Sequence, residues 1–281
     1  MSGILRNTVK MIVPDSILTG AMMVRERRRL ARLPVGRFAA EPLRQISRTE
    51  LEAAFQRDAI SEAWQRDLTR ISAVMPYEDI YESVCPGERR AIYHLIAFFK
   101  PRRLLEIGTH IGASTLVIAQ SLASHGAPES QLITGDILDV NNPQQGAFRK
   151  LGTLSPLDGL RKLGLEDRVR FEVKPAQQLM ASLSQKMDFI FLDGDHSAKA
   201  VYEELSAALD LLAPNGVILL HDFYPEGRRI YPEERIVAGP FLAAKRVHGE
   251  VPNVYVMSLG ELPWETKQGV KKTSLALVTK R

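Results

Sequence analysis

With 281 residues, 45% hydrophobic and 25% charged, the chain has the composition of an ordinary folded enzyme, which excludes a disordered or fibrous protein. The net charge of +4 is concentrated at one end: residues 1–50 hold ten Lys or Arg against four Asp or Glu. So local a basic arm reads as a solvated helical face or a subunit contact, and no nucleic-acid partner is expected. The lone cysteine, Cys85, excludes an intrachain disulfide and a cysteine metal cluster, and suits a reducing cytoplasm. The apolar stretches Met11–Val13 and Ile17–Met23 are interrupted by Pro14 and Asp15. They are too short to span a bilayer, so no integral membrane segment and a cytoplasmic location are expected.

The first 85 residues read as helical pieces broken by Pro14, Pro34, Pro42 and Pro76. The clearest runs from about Thr49 to Val74, with Ser47 or Thr49 as its cap and Glu50 and Glu52 in its first turn. Another, Pro86–Phe99, places Ile92, Leu95, Ile96 and Phe99 on one face and stops before Pro101. The rhythm then changes. Apolar runs at Arg103–Ile107, Leu132–Ile137, Val169–Val173, Met187–Leu192 and Gly216–Leu220 read as buried strands. Helical patterns at Ser114–Leu122, Gly159–Leu163 and Ala198–Leu212 lie between them, and a further helix opens at Pro240. Alternation of this kind predicts a parallel sheet covered on both faces. Two last strands, Val254–Leu259 and Ser274–Thr279, are placed to pair as an antiparallel hairpin.

Polar residues gather where four of these strands end. Glu106-Ile107-Gly108-Thr109-His110-Ile111-Gly112 joins the first strand to its helix, where glycine lets backbone approach a ligand and a helix N-terminus offers free N–H groups. It is not a dinucleotide fingerprint, because His110 and Ala113 stand where glycines would be needed. Asp136 closes the second strand and can accept both hydroxyls of a ribose. Asp193-Gly194-Asp195-His196 follows the fourth strand, and His221-Asp222-Phe223 follows the fifth. Buried strands have no use for carboxylates, so four polar strand ends on one rim point to a ligand site. If the fourth and fifth strands are neighbours, their ends lie about 4.8 Å apart. Asp193 and Asp222 would then share a cation or repel each other.

Glu-Ile-Gly-Thr-x-x-Gly-x-Ser resembles the first motif of class I S-adenosylmethionine-dependent methyltransferases, and its threonine is similar to the catechol-type O-methyltransferases. Asp-Gly-Asp-His, a helix, and Leu-Ala-Pro-Asn-Gly-Val-Ile-Leu-Leu-His-Asp-Phe resemble the macrocin and novobiocic-acid branch. The resemblance covers residues 86–281. It implies an α/β, doubly wound, Rossmann-like seven-stranded methyltransferase sheet whose last strand is antiparallel, with residues 1–85 as a helical N-terminal extension. It implies that Gly108, Thr109, Gly112 and Ser114 surround the methionine part of S-adenosyl-L-methionine, that Glu106 supports its amino group, and that Asp136 holds its ribose. The adenine contact would follow the third strand near Lys174–Gln177, where Lys174-Pro175 departs from the usual small residues. It further implies a divalent metal, Mg2+ or Mn2+, at Asp193 and Asp222, with Asp195 as general base. His221 stands where related enzymes of the macrocin type carry an acid.

Several readings stay open. His221 is a ligand of a softer metal, a base, or a hydrogen-bonding partner behind the ligands. Asp193 and Asp222 otherwise position substrate or cap helices without a metal. His196 and His110 serve as readily at helix entries, and Tyr77, Tyr81 and Tyr224 either line a substrate pocket or pack. The leading expectation is metal-assisted O-methylation of a small-molecule hydroxyl on a sugar, phenol or natural-product intermediate. Metal-free N- or O-methylation, or a cofactor-binding scaffold without transfer, are the alternatives. The extension is expected to cap the active-site mouth or to build a homo-oligomer contact. The segments Val140–Ser155 and Pro225–Gly239 are expected to shape the acceptor pocket.

Overall fold

The strand runs recognised in the sequence assemble into one seven-stranded sheet in a computed structural model that describes residues 15–36, 38–76, 83–231 and 237–280, with side chains from Gly20 onward. The strands are β1 (Arg103–Ile107), β2 (Gln131–Asp136), β3 (Val169–Val173), β4 (Met187–Leu192), β5 (Leu212–Leu220), β6 (Val254–Ser258) and β7 (Ala276–Lys280). Their order across the sheet is β3-β2-β1-β4-β5-β7-β6, with β1 to β5 parallel and β7 antiparallel to both neighbours. The chain enters the sheet at β1, third from one edge, winds outward to β3, then returns past β1 to β4. That reversal between β1 and β4 is the switch point at which open α/β sheets bind ligands.

The helices are α1 (Asp15–Ala31), α2 (Arg48–Phe55), α3 (Asp58–Ser72), α4 (Pro86–Phe99), α5 (Ala113–His125), α6 (Phe148–Leu151), α7 (Pro156–Leu163), α8 (Ala176–Ser182), α9 (Ala198–Leu211) and α10 (Gly239–Glu250). Successive strand residues point to opposite faces, so each strand feeds two cores. Leu105, Ile107, Ile190, Leu192, Ile218 and Leu220 meet Val201, Leu205 and Leu209 of α9 on one face. Leu104, Leu132, Phe189, Phe191, Val217 and Leu219 meet Ile92, Leu95 and Ile96 of α4 and Ile118 and Leu122 of α5 on the other.

Two boundaries differ from the sequence expectation. The single helix expected over Thr49–Val74 is two, capped at Ser47, whose hydroxyl accepts from Glu50 N, and interrupted at Arg57, which is extended (φ −73, ψ 111). Packing explains the break, since Leu51 and Phe55 belong to the core around Ile92 and Leu95, whereas Ile60, Trp64 and Ile71 belong to a third core with Tyr93 and Val117. The fifth strand begins at Leu212, and its register with β4 shifts between Met187 and Phe189. The expected final hairpin forms, with Tyr255 opposite Thr279 and Met257 opposite Leu277.

Residues preceding α4 enter the same cores as the sheet. Leu43 bridges to Gly216 beside β5, and α1 packs on α9 and α10. Among the described residues no helix is long and apolar enough to cross a membrane. Phe55 is buried and meets the Trp264 ring edge-on at 5.7 Å. Phe55→Ala is expected to cost about 3–5 kcal/mol and to lower the urea midpoint of a single unfolding transition. A separate early transition for the first 76 residues would show instead that they fold apart from the sheet.

Candidate active site

Backbone hydrogen bonds bring four strand ends level. Gly108 N donates to Gly135 O (2.9 Å), Asp193 N to Ile107 O (2.9 Å) and His221 N to Leu192 O (3.1 Å), so the parallel ladder continues one residue past β1, β4 and β5. Gly108 is required there on two counts. Its φ is +95, and a Cβ would stand 2.1 Å from the Asp193 carbonyl oxygen. Gly112, at φ +78, is the N-cap of α5 and lies against Pro156.

On the β1 side, Glu106 is fully buried and faces Thr134 across β2. Its Oε2 accepts from Thr115 Oγ1 (2.6 Å) and Thr134 Oγ1 (2.7 Å), while Oε1 has no partner within the protein. Burial pushes this carboxyl up to about 7, although the nearby hydroxyls of Ser114, Thr115 and Thr134 resist the rise. Thr109 Oγ1 lies 2.6 Å from Thr134 Oγ1, which ties the turn to β2. Asp136 accepts from His110 N (3.0 Å) and Leu138 N (3.1 Å) and is only partly covered. Glu106, Gly108, Thr109, Gly112, Ser114 and Asp136 thus occupy one turn and its neighbouring strand end. A lone buried carboxylate oxygen is costly unless a ligand completes it, and an ammonium group is the natural partner. The residues fit the amino-acid end of S-adenosylmethionine.

On the β4–β5 side, His221 is the hub. Its Nε2 lies 3.1 Å from Glu88 Oε2 in a hydrogen bond, and its Nδ1 lies 2.8 Å from Asp193 Oδ1 and 3.5 Å from Asp222 Oδ1, in line with neither. Burial alone would lower the imidazole, but the charges of Asp193, Asp222 and Glu88 outweigh it and hold His221 protonated well above its ordinary value. Burial, with Asp193 and Glu88 adding to it, raises Asp222 against the pull of His221 and His196. Asp222 takes a left-handed backbone (φ +52), and His196 Nε2 lies 3.5 Å from its Oδ2.

Asp193, Asp222 and His221 come together, as their strand-end positions require. The metal implied by the resemblance is another matter. Among the described residues no group of three or more His, Cys, Asp or Glu side chains is arranged to hold a metal ion. The imidazole already stands against both carboxylates as their counter-charge. The donor set therefore does not fit a divalent ion. Asp195 is exposed, and its Oδ1 accepts from Ser197 N (2.7 Å) at the start of α9. Glu26 of α1 accepts the next free amide, Ala198 N (3.0 Å), so the extension caps the helix behind this loop. Tyr224 is buried, while Tyr77 and Tyr81 lie outside the described residues.

Glu88 was not singled out in the sequence, where an acid in the first turn of α4 reads as a capping residue. It is instead buried at the centre of the site. Its Oε1 accepts from Thr273 Oγ1 (2.7 Å), Ser274 N (2.6 Å), Ser274 Oγ (2.9 Å) and Tyr231 OH (3.1 Å), and its Oε2 from Cys85 Sγ (3.2 Å). Burial opposes its charge, yet His221 and the hydrogen bonds from Thr273 and Cys85 hold it well below the usual carboxylate range.

Glu204 of α9 was also missed. It is buried beneath the loop, and burial, then the charges of Asp195 and Asp193, push it up to about 8. An acid raised in the fold opposes stability increasingly as pH climbs from its unfolded value toward the folded one. Glu204→Gln is therefore expected to raise Tm near pH 8 and to change little near pH 4. The gain is the equivalent of a few kcal/mol, since each tenfold change in proton affinity is worth about 1.4 kcal/mol. Thermal melts at both values check the sign.

Residues 105–223 match the family model described as a methyltransferase domain. No curated protein matches the chain. Among solved structures, the S-adenosylhomocysteine-bound methyltransferase PaMTH1 of Podospora anserina is 22% identical, with TM-score 0.50, over 80% of this chain and 88% of that one. An O-methyltransferase from Bacillus cereus in complex with S-adenosylhomocysteine is 20% identical, with TM-score 0.51, over 83% and 100%. A putative O-methyltransferase from Klebsiella pneumoniae is 18% identical, with TM-score 0.52, over 80% and 90%. At these identities the structures speak for the fold, and the domain match covers residues 105–223. The chain thus carries a segment similar to a methyltransferase domain within a Rossmann-like seven-stranded sheet whose last strand is antiparallel.

Proposed function

We propose that the chain transfers a methyl group from S-adenosylmethionine to a hydroxyl oxygen of a small molecule, without a divalent metal. The observation that carries the reading is the unpartnered, buried Glu106 Oε1 at the turn between β1 and α5. Glu106 takes the cofactor's ammonium group, Asp136 its ribose hydroxyls, and the turn from Gly108 to Gly112 with Thr109 and Ser114 follows its methionine part. Bound there, S-adenosylmethionine supplies an electrophilic methyl group. The neighbours from Bacillus cereus and Klebsiella pneumoniae are described as O-methyltransferases, which favours oxygen as the acceptor.

The acceptor hydroxyl meets the group formed by Asp193, His221 and Asp222. Asp222 in its carboxylate form, its proton affinity raised by burial, takes the proton as the oxygen gains the methyl group. His221 keeps its positive charge beside that oxygen and stabilises the negative charge that develops on it. Asp195 keeps one oxygen for Ser197 N and offers the other to a polar group of the acceptor. One proton, one methyl ether and S-adenosylhomocysteine leave.

Titration of S-adenosylhomocysteine into the full chain tests the cofactor site. Glu106 must be ionised to receive the ammonium group, so affinity rises with pH and levels off above about 7. Binding near pH 6 is expected to be about tenfold weaker than near pH 7.5, because one pH unit below its pKa only about a tenth of the carboxyl is ionised. Glu106→Gln flattens this dependence and weakens binding throughout; a wild-type profile that is already flat rejects the assignment. A separate titration of Mn2+ into protein saturated with S-adenosylhomocysteine addresses the metal. The expected result is no uptake, whereas tight binding that disappears in Asp222→Ala would return the metal to the mechanism.

A further inference from the structure

The buried group that holds His221 comes from outside the matched methyltransferase segment. Glu88 lies on α4, before residue 105, and reaches beneath β5 to the strand-end histidine. Its two oxygens have separate duties. Oε1 is saturated by Thr273, Ser274 and Tyr231, on segments that flank β7 and follow β5, so the carboxylate cannot rotate without breaking four hydrogen bonds. Oε2 is thereby aimed at Nε2 of His221, with Cys85 Sγ beside it. A carboxylate accepts and never donates, so the proton of that bond belongs to the imidazole.

We infer that Glu88 is the positioning residue of this site: by holding the Nε2–H of His221 it fixes the ring's orientation and places Nδ1 between Asp193 and Asp222. The inference deepens the proposed methyl transfer and rests on it for its catalytic meaning. Several facts converge on it. An imidazole between two carboxylates could turn by 180° or tip toward either one, and nothing on β5 itself prevents this. Among the described residues the ring's aligned hydrogen bond is to Glu88; its contacts with Asp193 and Asp222 are out of line. Phe191 meets the ring edge-on at 6.3 Å and limits sideways movement without choosing a nitrogen. Among the described residues it is Glu88 that fixes which edge of the ring faces α4. Nor is Glu88 explained as a helix cap, because its Oε1 accepts from loop residues far along the chain.

The isosteric change Glu88→Gln separates positioning from mere structure. The glutamine carbonyl can still accept from Thr273, Ser274 and Tyr231, so the four anchoring bonds survive. Its amide group then faces Nε2 and donates where the carboxylate accepted. Nε2 then has no acceptor for its proton, so the ring is driven from its doubly protonated form to one with a lone pair at Nε2, at an almost unchanged shape.

The measurement is the long-range ¹H–¹⁵N spectrum of the full chain labelled at its six histidines, saturated with S-adenosylhomocysteine, with His221→Gln identifying the resonance. In the wild type, Nε2 of His221 is expected at a protonated shift with a slowly exchanging proton. In Glu88→Gln it is expected to move to the unprotonated range while circular dichroism and S-adenosylhomocysteine affinity stay within about twofold. Glu88→Asp, which keeps the charge on a shorter arm, is expected to retain a protonated Nε2. An unprotonated Nε2 in the wild type, or an unchanged His221 spectrum in folded Glu88→Gln, overturns the inference. If Glu88→Gln does not fold, the wild-type spectrum and Glu88→Asp still decide it. Loss of cofactor binding in the wild type would sink the methyltransferase reading instead, and leaves the Glu88–His221 spectrum to be read by itself.

Discussion

Three interstrand hydrogen bonds made just past the strand ends govern this molecule's chemistry. By running Gly108 N to Gly135 O, Asp193 N to Ile107 O and His221 N to Leu192 O, the sheet sets the turns after β1, β2, β4 and β5 at one height. Parallel strands place all their carboxyl ends on one edge, and the reversal of strand order between β1 and β4 opens a crevice there. The close approach of Gly108 to the Asp193 carbonyl is the tightest point of this construction. Everything proposed for cofactor and acceptor follows from two half-sites held side by side across that point.

The two half-sites solve opposite electrostatic problems. At β1 a carboxylate is buried with one oxygen unsatisfied, so the protein itself is incomplete and gains by binding a cation-bearing ligand. At β4 and β5 three carboxylates, Glu88, Asp193 and Asp222, surround one imidazole, so the charges are largely settled internally. Buried ionic groups of this kind are poor sources of net stability, because desolvation consumes most of the attraction. Their value lies in orientation, and Glu88 with its five further hydrogen bonds is the member that cannot move.

The N-terminal extension is joined to this machinery instead of lying beside it. Leu51 and Phe55 share a core with α4, the helix that carries Glu88, and Glu26 caps α9 directly behind Asp195. The helix N-terminus that follows the Asp193–Ser197 loop has its free amides taken by Asp195, Glu26 and Ser197. Asp195 is thus held by local backbone, and α1 packs on α9 and α10.

Sequence alone determined the sheet and one half of the site. The strand runs, the glycine turn after Glu106 and the acids at the ends of β2, β4 and β5 are local signals, since burial on both faces demands continuous apolar runs and a strand end permits polar residues. Strand order also makes Asp193 and Asp222 neighbours, and this much could be inferred from alternation of strands and helices. Glu88 could not be read in this way, because position three of a helix is where an acid belongs for purely local reasons. Only the tertiary structure brings Thr273, Ser274 and Tyr231, all more than 140 residues away in sequence, around its carboxylate. The same holds for the break at Gln56–Arg57, which no glycine or proline announces and which two competing cores impose. The fate of His221 was open in sequence for one physical reason: a histidine's role is set by what meets each ring nitrogen, and those partners come from α4, β4 and β5 together.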